Sequence, residues 1–545
     1  MFGHPKGLMI LFFTELWERF SYYGMRAILV LYIYSSVESG GLGWTRGEAL
    51  ELYGWYTMLV YVMSIPGGIV ADRFLGQKKT VMLGGLLLCI GHGVLAIEAL
   101  WAFYTGLALI VLGVGGLKPN ISTMVGGLYE QGDPRRDKGF TIFYIGINVG
   151  AFAASIIVGY VGETIGWHYG FGLAGIGMLL GQAVFVYGQR YLREVGNYIP
   201  PQKVSGTSQN VPLTKEEKDR IVVLVLSFLI IIVFWGAFEQ AGGLMNIYAK
   251  ERIDRDFFGL FEIPASVFQA VNAFFIMTFG TAVAGYWVWH KRKQWESSSI
   301  FKMALGTMIM GFGFVMMGLA SVEAGSEEFG KAALYWLVLA YFLHTIGELC
   351  ASPVALSFIT KLAPARYAAI MMGIYFASTG LGNKVAGLIG ESAQSEPTEI
   401  AWVAPTERLA LRYTDVADAI QKNEGFDMKA RIFAEGDQVR LMGYQNEQSL
   451  DDFFAFSPAV QSRLVSELNA YGASAEQPLH ASIAFSKSDQ GYIGNLIVFE
   501  IQNEREFTIF MSITGFTTVF GLLLLVFLPK LKKMTHGAEK EFGDQ

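Results

Sequence analysis

Eight ionisable side chains lie inside otherwise apolar stretches of this 545-residue sequence. Glu15, Glu18, Arg19 and Arg26 share the first stretch; Lys118 stands in GVGGLKPNIS, Glu239 in FWGAFEQ, Glu348 in GELCASP, and Lys384 follows in the next stretch. Charges in an apolar stretch are costly in a bilayer, so each one is a functional candidate. At 100° per residue, Glu15, Arg19, Tyr22 and Arg26 fall on one helical stripe, flanked by Glu18 and Tyr23. Such a stripe suits a wet cavity or mutual pairing and does not suit lipid. Arg19, Arg26, Lys118 and Lys384 balance Glu15, Glu18, Glu239 and Glu348, which points to ion pairs. A carboxylate that loses its cation and its water takes up a proton more readily, so a pair that opens and closes can couple a proton to a change of shape. Arg26 and Lys118 in the first half of the chain, with Glu348 in the second, give a cavity with opposite ends. Arg grips carboxylates bidentately and a glutamate can hold an ammonium. A zwitterion of dipeptide length fits that dipole, with Tyr22, Tyr23, Tyr56, Asn148 and Asn272 to supply hydrogen bonds and walls.

These residues need long membrane helices to position them. The chain is 52% hydrophobic and 16% charged, with a mean hydropathy of +0.39. This composition excludes a soluble enzyme, a disordered chain and a nucleic-acid binder. Apolar runs occur at 8–36, 49–71, 79–99, 101–128, 139–162, 168–190, 220–248, 263–289, 299–321, 332–360, 367–391 and 507–529. That is twelve spans: an N-terminal six-helix bundle over 1–190, a linker at 191–219, five helices over 220–392, and a last helix at 506–530 before the tail 531–545. Sixty-four glycines suit close helix approach. If the N-terminus is inside, the inner loops and tails carry twenty-three Lys/Arg and the short outer loops five. Both termini are therefore expected in the cytoplasm. The first run has no cleavage site after it, so no removable signal peptide is expected. Cys89 and Cys350 imply no disulfide framework.

One polar stretch, 393–505, interrupts the pattern. It holds nine Lys/Arg and seventeen Asp/Glu, a net of −8 against −6 for the whole chain. By the same orientation it lies outside the membrane, between the eleventh and twelfth spans. Asp451–Tyr471 reads as a helix with Phe453, Phe454, Phe456, Val460, Leu464 and Leu468 on its apolar positions. Gln438–Gly443, Leu479–Phe485 and Asn495–Ile501 read as strands. A small α+β domain is expected.

With these residues in view, the sequence resembles the proton-dependent oligopeptide transporter (POT/PTR) family of the major facilitator superfamily. ELWERFSYYGMR at Glu15–Arg26 is similar to that family's E-x-x-E-R-F-x-Y-Y-G motif, and DRFLGQKK to the superfamily's D-R-x-x-G-x-K loop. GLKPNIS, KGFTIFYIGINVGAF, FWGAFEQ, GELCASPVALSFITKLAP and MMGIYFASTGLGN look like further signatures in the expected order. The resemblance covers all but the insert and tail. It implies an all-α major facilitator fold and a proton-coupled symporter importing di- and tripeptides by alternating access, in a bacterial-type cell membrane. No cofactor is implied beyond the proton as coupling ion, and the partners are peptides, protons and the lipid bilayer. It also implies roles. Glu15, Glu18, Arg19 and Glu239 couple protons, with Glu239 pairing Arg26. Lys118 communicates with Glu348. Arg26 and Lys118 receive the peptide carboxylate; Glu348, Asn148 and Asn272 receive its amine; Tyr22, Tyr56, Ser352 and Tyr375 line the pocket. Asp72 and Arg73 clamp inner helix ends.

Three departures stand out. The linker is too short for the two extra helices of many bacterial members. Tyr375 replaces a frequent Trp. Lys384 stands where a neutral residue is expected, and the outer insert is placed unlike that of animal members. His344, four residues before Glu348, reads first as a packed neutral core residue, and Glu163 and Glu391 as water-facing. A carrier of another solute and a peptide sensor working through the insert are the competing functions. The carrier needs no ATP site, and no G-x-x-x-x-G-K-[ST] motif occurs; an enzyme is the least expected reading, since the sequence offers no plausible nucleophile–base pair or metal cluster.

Overall fold

The computed structural model describes residues 3–130, 133, 135–198, 214–326, 331–363, 368–394, 400–404, 422, 426–443, 456–470, 473–475, 478–488, 491–498 and 501–538. They fall into two compact units. One comprises Met1–Ser392 with Ile509–Gln545, the other Ala393–Thr508.

The larger unit is a bundle of long helices. In order they are α1 (Lys6–Tyr34), α2 (Arg46–Val62), α3 (Ser64–Val70), α4 (Gln77–Leu95), α5 (Leu100–Gly127), α6 (Arg136–Thr164), α7 (Trp167–Leu192), α8 (Lys215–Phe238), α9 (Leu244–Arg252), α10 (Ala270–Arg292), α11 (Ser299–Ser326), α12 (Leu334–Leu362) and α13 (Ala368–Ala393). Ten helical segments among the described residues are long and apolar enough to cross a membrane; α2 with α3 counts as one of them, and so does α8 with α9. α1 and α13 are as long, at 29 and 26 residues. Their charges, glycines and hydroxyls lower their apolarity. With α1 and α13 these ten, the last of them Arg505–Met534, make twelve long helical segments among the described residues, six on each side of the linker.

Local chemistry sets the helix ends. Thr45 and Glu48 form a reciprocal capping box at the start of α2, and Thr214 with Glu217 does the same for α8. α2 breaks at Met63, just before Pro66, and resumes as α3. Pro119 and Pro353 lie inside α5 and α12. A five-residue π-turn, Ala71–Leu75, ends at Gly76 with φ +76°. The turn is held to the chain after α7: Tyr198 Oη donates to Arg73 O at 3.0 Å, and Lys78 Nζ donates to Arg193 O (2.6 Å) and Asn197 Oδ1 (2.9 Å). The side chains of Asp72 and Arg73 are exposed and make no hydrogen bond or ion pair among the described residues. The clamp expected of them is made by Lys78, Tyr198 and backbone carbonyls instead. Linker residues 199–213 lie outside the described residues.

Among its described residues the smaller unit holds a five-stranded antiparallel sheet with a helix packed on it. Its strands are β1 (Ile400–Ala404), β2 (Phe426–Glu435), β3 (Gln438–Gly443), β4 (Leu479–Ser488) and β5 (Gly491–Val498), in the order β1-β5-β4-β2-β3. Alternate residues of β2 (Ala430, Ile432) and β4 (Ala481, Ile483, Phe485) share a face. Leu464 and Leu468 of α14 (Pro458–Ala470) pack into the same core. The helix is shorter than the sequence pattern suggests, and Phe453 and Phe454 lie outside the described residues. β5 starts earlier than expected and stops at Val498, because the hairpin with β4 fixes its register from Ser488↔Gly491. Ile501 already belongs to the final helix, α15 (Ile501–Met534). β1 and β2 were not expected, although FDMKARIFAE alternates apolar and polar residues.

Candidate functional site

α1 brings its charges together in two groups. Arg19 Nε donates to Glu15 Oε1 at 2.7 Å, one helical turn away. It lies 2.8 Å from Glu18 Oε2 as an ion pair without hydrogen-bond alignment. All three side chains are buried, Glu15 and Glu18 almost completely. Lys118 of α5 stands in the field of Arg19, Glu18, Glu15 and Glu239. Its ammonium sits 3.6 Å from the centroid of the Tyr61 ring.

Arg26, on the same stripe two turns later, crosses to the other half. Its Nη2 lies 3.1 Å from Glu239 Oε2 and its Nη1 donates to Glu239 Oε1 at 3.3 Å, a two-pronged pair. Tyr53 Oη of α2 donates to the same carboxylate at 3.4 Å. Glu239 stands in a single 3₁₀ turn, Glu239–Ala241, between α8 and α9. Gly242 follows, and a Cβ there would come 1.9 Å from Tyr53 Oη and 3.0 Å from Arg26 Nη2. Only glycine leaves room for this pair.

Beside the pair is a cavity whose empty volume, open mouth included, is about 840 Å³, within the range of small-molecule sites. Each wall is a helical stripe. α1 gives Tyr23 and Arg26, α2 gives Tyr61, and α6 gives Tyr144, Asn148 and Ser155. α8 gives Trp235 and Phe238, α10 gives Asn272 and Ile276, and α12 gives Tyr341, His344 and Glu348. On the far wall Asn272 Nδ2 donates to Glu348 Oε2 (2.9 Å) and Thr345 Oγ1 (3.0 Å). Asn148 Nδ2 donates to Tyr144 O at 3.0 Å. A guanidinium pair on one side and a carboxylate held by an amide on the other make a polar cleft with apolar, aromatic walls.

The structure thus gathers Arg26, Glu239, Asn148, Asn272 and Glu348 around one space. Lys118 does not line it and sits over the ring of Tyr61, which does. Tyr22 and Tyr56 are buried and do not line it; Tyr23, the flanking residue, does. Ser352 lies one turn beyond Glu348 and outside the lining. Tyr375 packs against the core of α8, α11, α12 and α15. Tyr53, Tyr61, Tyr144, Trp235 and Tyr341 were not singled out from the sequence. Their signal was helical spacing from the charged residues: Tyr341 is one i+7 step before Glu348.

A ring of further contacts joins the two halves on the side away from the N-terminus. Asn246 Nδ2 and Gln269 Nε2 both donate to Ala27 O (2.8 and 3.3 Å). Arg46 pairs Glu251 at 2.7 Å. Glu163 Oε1 accepts from Ser266 N (2.7 Å) and Ser266 Oγ (2.6 Å), and its Oε2 is 3.8 Å from Lys250. Glu163 is therefore buried in the joint, where the sequence suggested contact with water. Gly54 and Gly387 bring α2 and α13 together: a Cβ on Gly54 would meet Gly387 Cα at 2.9 Å. Next to them Lys384 Nζ lies 3.8 Å from Glu51 Oε1 and 4.5 Å from the Trp55 ring centroid, which accounts for the unexpected lysine. Every one of these contacts uses the last turns of α1 or α6, the first turns of α2, or their counterparts in the second half.

Comparison with known proteins places this architecture in context. A family model described as the POT family matches residues 78–214 and 201–403. Peptide transporter YePEPT of Yersinia enterocolitica is 34% identical over 460 residues, 73% of this chain and 90% of that protein. A di-/tripeptide transporter of Lactococcus lactis is 37% identical over 437 residues, covering 69% and 87%. A crystal structure of a mutant peptide transporter POT in complex with alafosfalin is 31% identical. It has a TM-score of 0.72 and covers 98% of this chain and 96% of that one.

Proposed function

We propose that this chain, which belongs to the POT family, imports di- and tripeptides by proton-coupled alternating access. The observation that carries the reading is the Arg26–Glu239 pair closing across two halves beside a cavity whose opposite wall bears Glu348. The membrane is a bacterial-type cell membrane, with both termini cytoplasmic and the insert outside. The joint between the halves is then the outer gate, and the conformation described is closed to the outside.

The cycle follows from the charges. With the outer gate open, a proton enters and binds Glu239. Neutral Glu239 no longer holds Arg26, whose guanidinium turns to the carboxylate of a peptide. The peptide ammonium meets Glu348, oriented by Asn272, and Asn148 offers a further hydrogen bond. A ligand that bridges the halves favours the closed arrangement in proportion to its added contacts there. The inner side then opens, the proton leaves Glu239 to the cytoplasm, and Arg26 re-pairs. Glu15, Glu18 and Arg19 hold the charge of α1 near Lys118 and set the field through which the proton passes. The proton is the coupling ion; no cofactor takes part and no bond of the peptide is broken.

The test is uptake of labelled dialanine into liposomes of the purified protein, with an inward proton gradient and with that gradient collapsed by a protonophore. Accumulation only with the gradient is expected. Dialanine binding without uptake in either condition would overturn transport in favour of a sensor, and absence of binding would point to another solute.

A further inference from the structure

Beyond α9 the chain makes a tight hairpin, 253–264, whose tip Phe257–Phe261 reads FFGLF. The tip is a built object. Ile253 bridges Ala332, and Asp254 N donates to Ala332 O at 2.8 Å, tying the stem to the loop before α12. Arg255 pairs Glu262 at 2.7 Å and donates to Ile263 O at 2.7 Å. Phe257 N donates to Phe261 O (2.9 Å), Leu260 N to Phe257 O (3.0 Å), and Asp256 Oδ2 accepts from Gly259 N (2.6 Å). This scaffold presents an apolar crown: Phe258 is 87% exposed, Leu260 76%, Phe261 56% and Phe257 39%. Phe258 has φ +55° and Gly259 +73°. A turn with both central residues left-handed ordinarily selects Asn-Gly or Asp-Gly, and a bulky side chain there is an outlier. A phenylalanine that is both strained and fully exposed is costly in water, and such cost points to a partner for the ring.

The height of the tip identifies that partner. Tyr286 and Trp289 are exposed at the other end of α10, and Trp295 just beyond it, as an interfacial belt. Counting back about twenty residues from Tyr286 and Trp289 at about 1.5 Å each spans a hydrocarbon core of roughly 30 Å and reaches residues 266–269. The hairpin ends at 264, within a few residues of that boundary, so its crown stands at the headgroup level on the side away from the N-terminus. We propose that the FFGLF crown inserts into the lipid interface of that leaflet and anchors the α9–α10 corner of the gate, the charged stem remaining among the headgroups. The ligand is a phospholipid surface, held by apolar burial and not by a headgroup-specific contact.

The test uses the full chain with Cys89→Ala and Cys350→Ala, a single cysteine at Phe258→Cys or at Leu260→Cys, and a nitroxide label. The protein is reconstituted in phosphatidylcholine–phosphatidylglycerol nanodiscs, and monodisperse elution establishes that each variant folds. Collision with membrane-soluble oxygen is compared with collision with an aqueous nickel chelate. The oxygen-to-nickel ratio at both positions is expected to be several-fold above that at Asp437→Cys, in the exposed turn between β2 and β3. A ratio equal to that of Asp437→Cys would overturn the proposal and place the crown in water. Low collision with both reagents would overturn it in favour of a protein cover, whether a second copy or the insert.

Discussion

Two groups of charges sit on one stripe of α1 and behave differently. Glu15, Glu18 and Arg19 close upon themselves within one helix. Arg26 finds its carboxylate on a 3₁₀ turn of the other half, 213 positions away in sequence. Contacts inside one rigid body persist whatever the body does. Contacts between bodies are made and broken each time the bodies move. In the proposed cycle the first group is therefore a permanent fixture of the N-terminal bundle, and the second a switch. Glu348 and Asn272 resemble the first group, since both lie in the C-terminal half.

This contrast can be broken or sharpened by substitution. The largest effect is expected at the switch. Glu239→Gln should abolish accumulation of dialanine against its gradient while counterflow exchange in the same liposomes persists; gradient-driven accumulation in this variant would remove Glu239 from coupling. Next comes the fixture. Arg19→Leu leaves two buried carboxylates without their cation, which should cost about 3–5 kcal/mol and appear as a loss of thermal stability in detergent. Arg26→Leu should cost less stability than Arg19→Leu, because Glu239 can take water or a proton when the gate opens. Equal destabilisation of the two would erase the distinction. On the far wall, Glu348→Gln should weaken free-amine dipeptides by about tenfold or more, the size of a charged hydrogen bond, and N-acetylated dipeptides far less. Isothermal calorimetry with both ligands checks this.

Smaller effects are expected at the rim. Gly242→Ala forces a methyl against Tyr53 and Arg26 and should disfavour the closed gate by about 1–3 kcal/mol. Double electron–electron resonance between labels on α2 and α10 should then show a larger outward-open population. The smallest effect belongs to Lys384 and Glu51. That pair is partly exposed, with Glu51 side-chain exposure of 49%. A double-mutant cycle of Lys384→Ala and Glu51→Gln should give a coupling of about 0–1 kcal/mol that fades with salt.

Much of the bundle was legible because a bilayer allows few solutions. Long apolar runs must be helices, and charges inside them must face one another or water. Arg26, Glu239, Asn272 and Glu348 could be named from that rule and from the resemblance of their motifs. The aromatic walls could not. Tyr61, Tyr144, Trp235 and Tyr341 are chemically like many lipid-facing aromatics, and only helix rotation decides which ones meet the cavity. Tyr22 and Tyr23 show the same limit: neighbours in sequence, they point about 100° apart, and the structure lines the cavity with Tyr23. Lys384 was visible as an anomaly but had no explanation until α13 was packed against α2. In the insert, the period-two pattern of β4 was readable, while the extent of β5 depended on its pairing partner.

The sequence by itself determined the long apolar runs, the break between the halves, the polar insert and the charges that fall inside those runs, because these follow from local hydropathy and from what a bilayer excludes. The tertiary structure alone decided which charge meets which. Glu239 reaches Arg26, Glu163 is drawn into the joint by Ser266, and Lys384 leans over Trp55, all through contacts between helices far apart in the chain. No local pattern encodes such partners, since a pair's geometry is fixed by how two whole bundles rotate and dock.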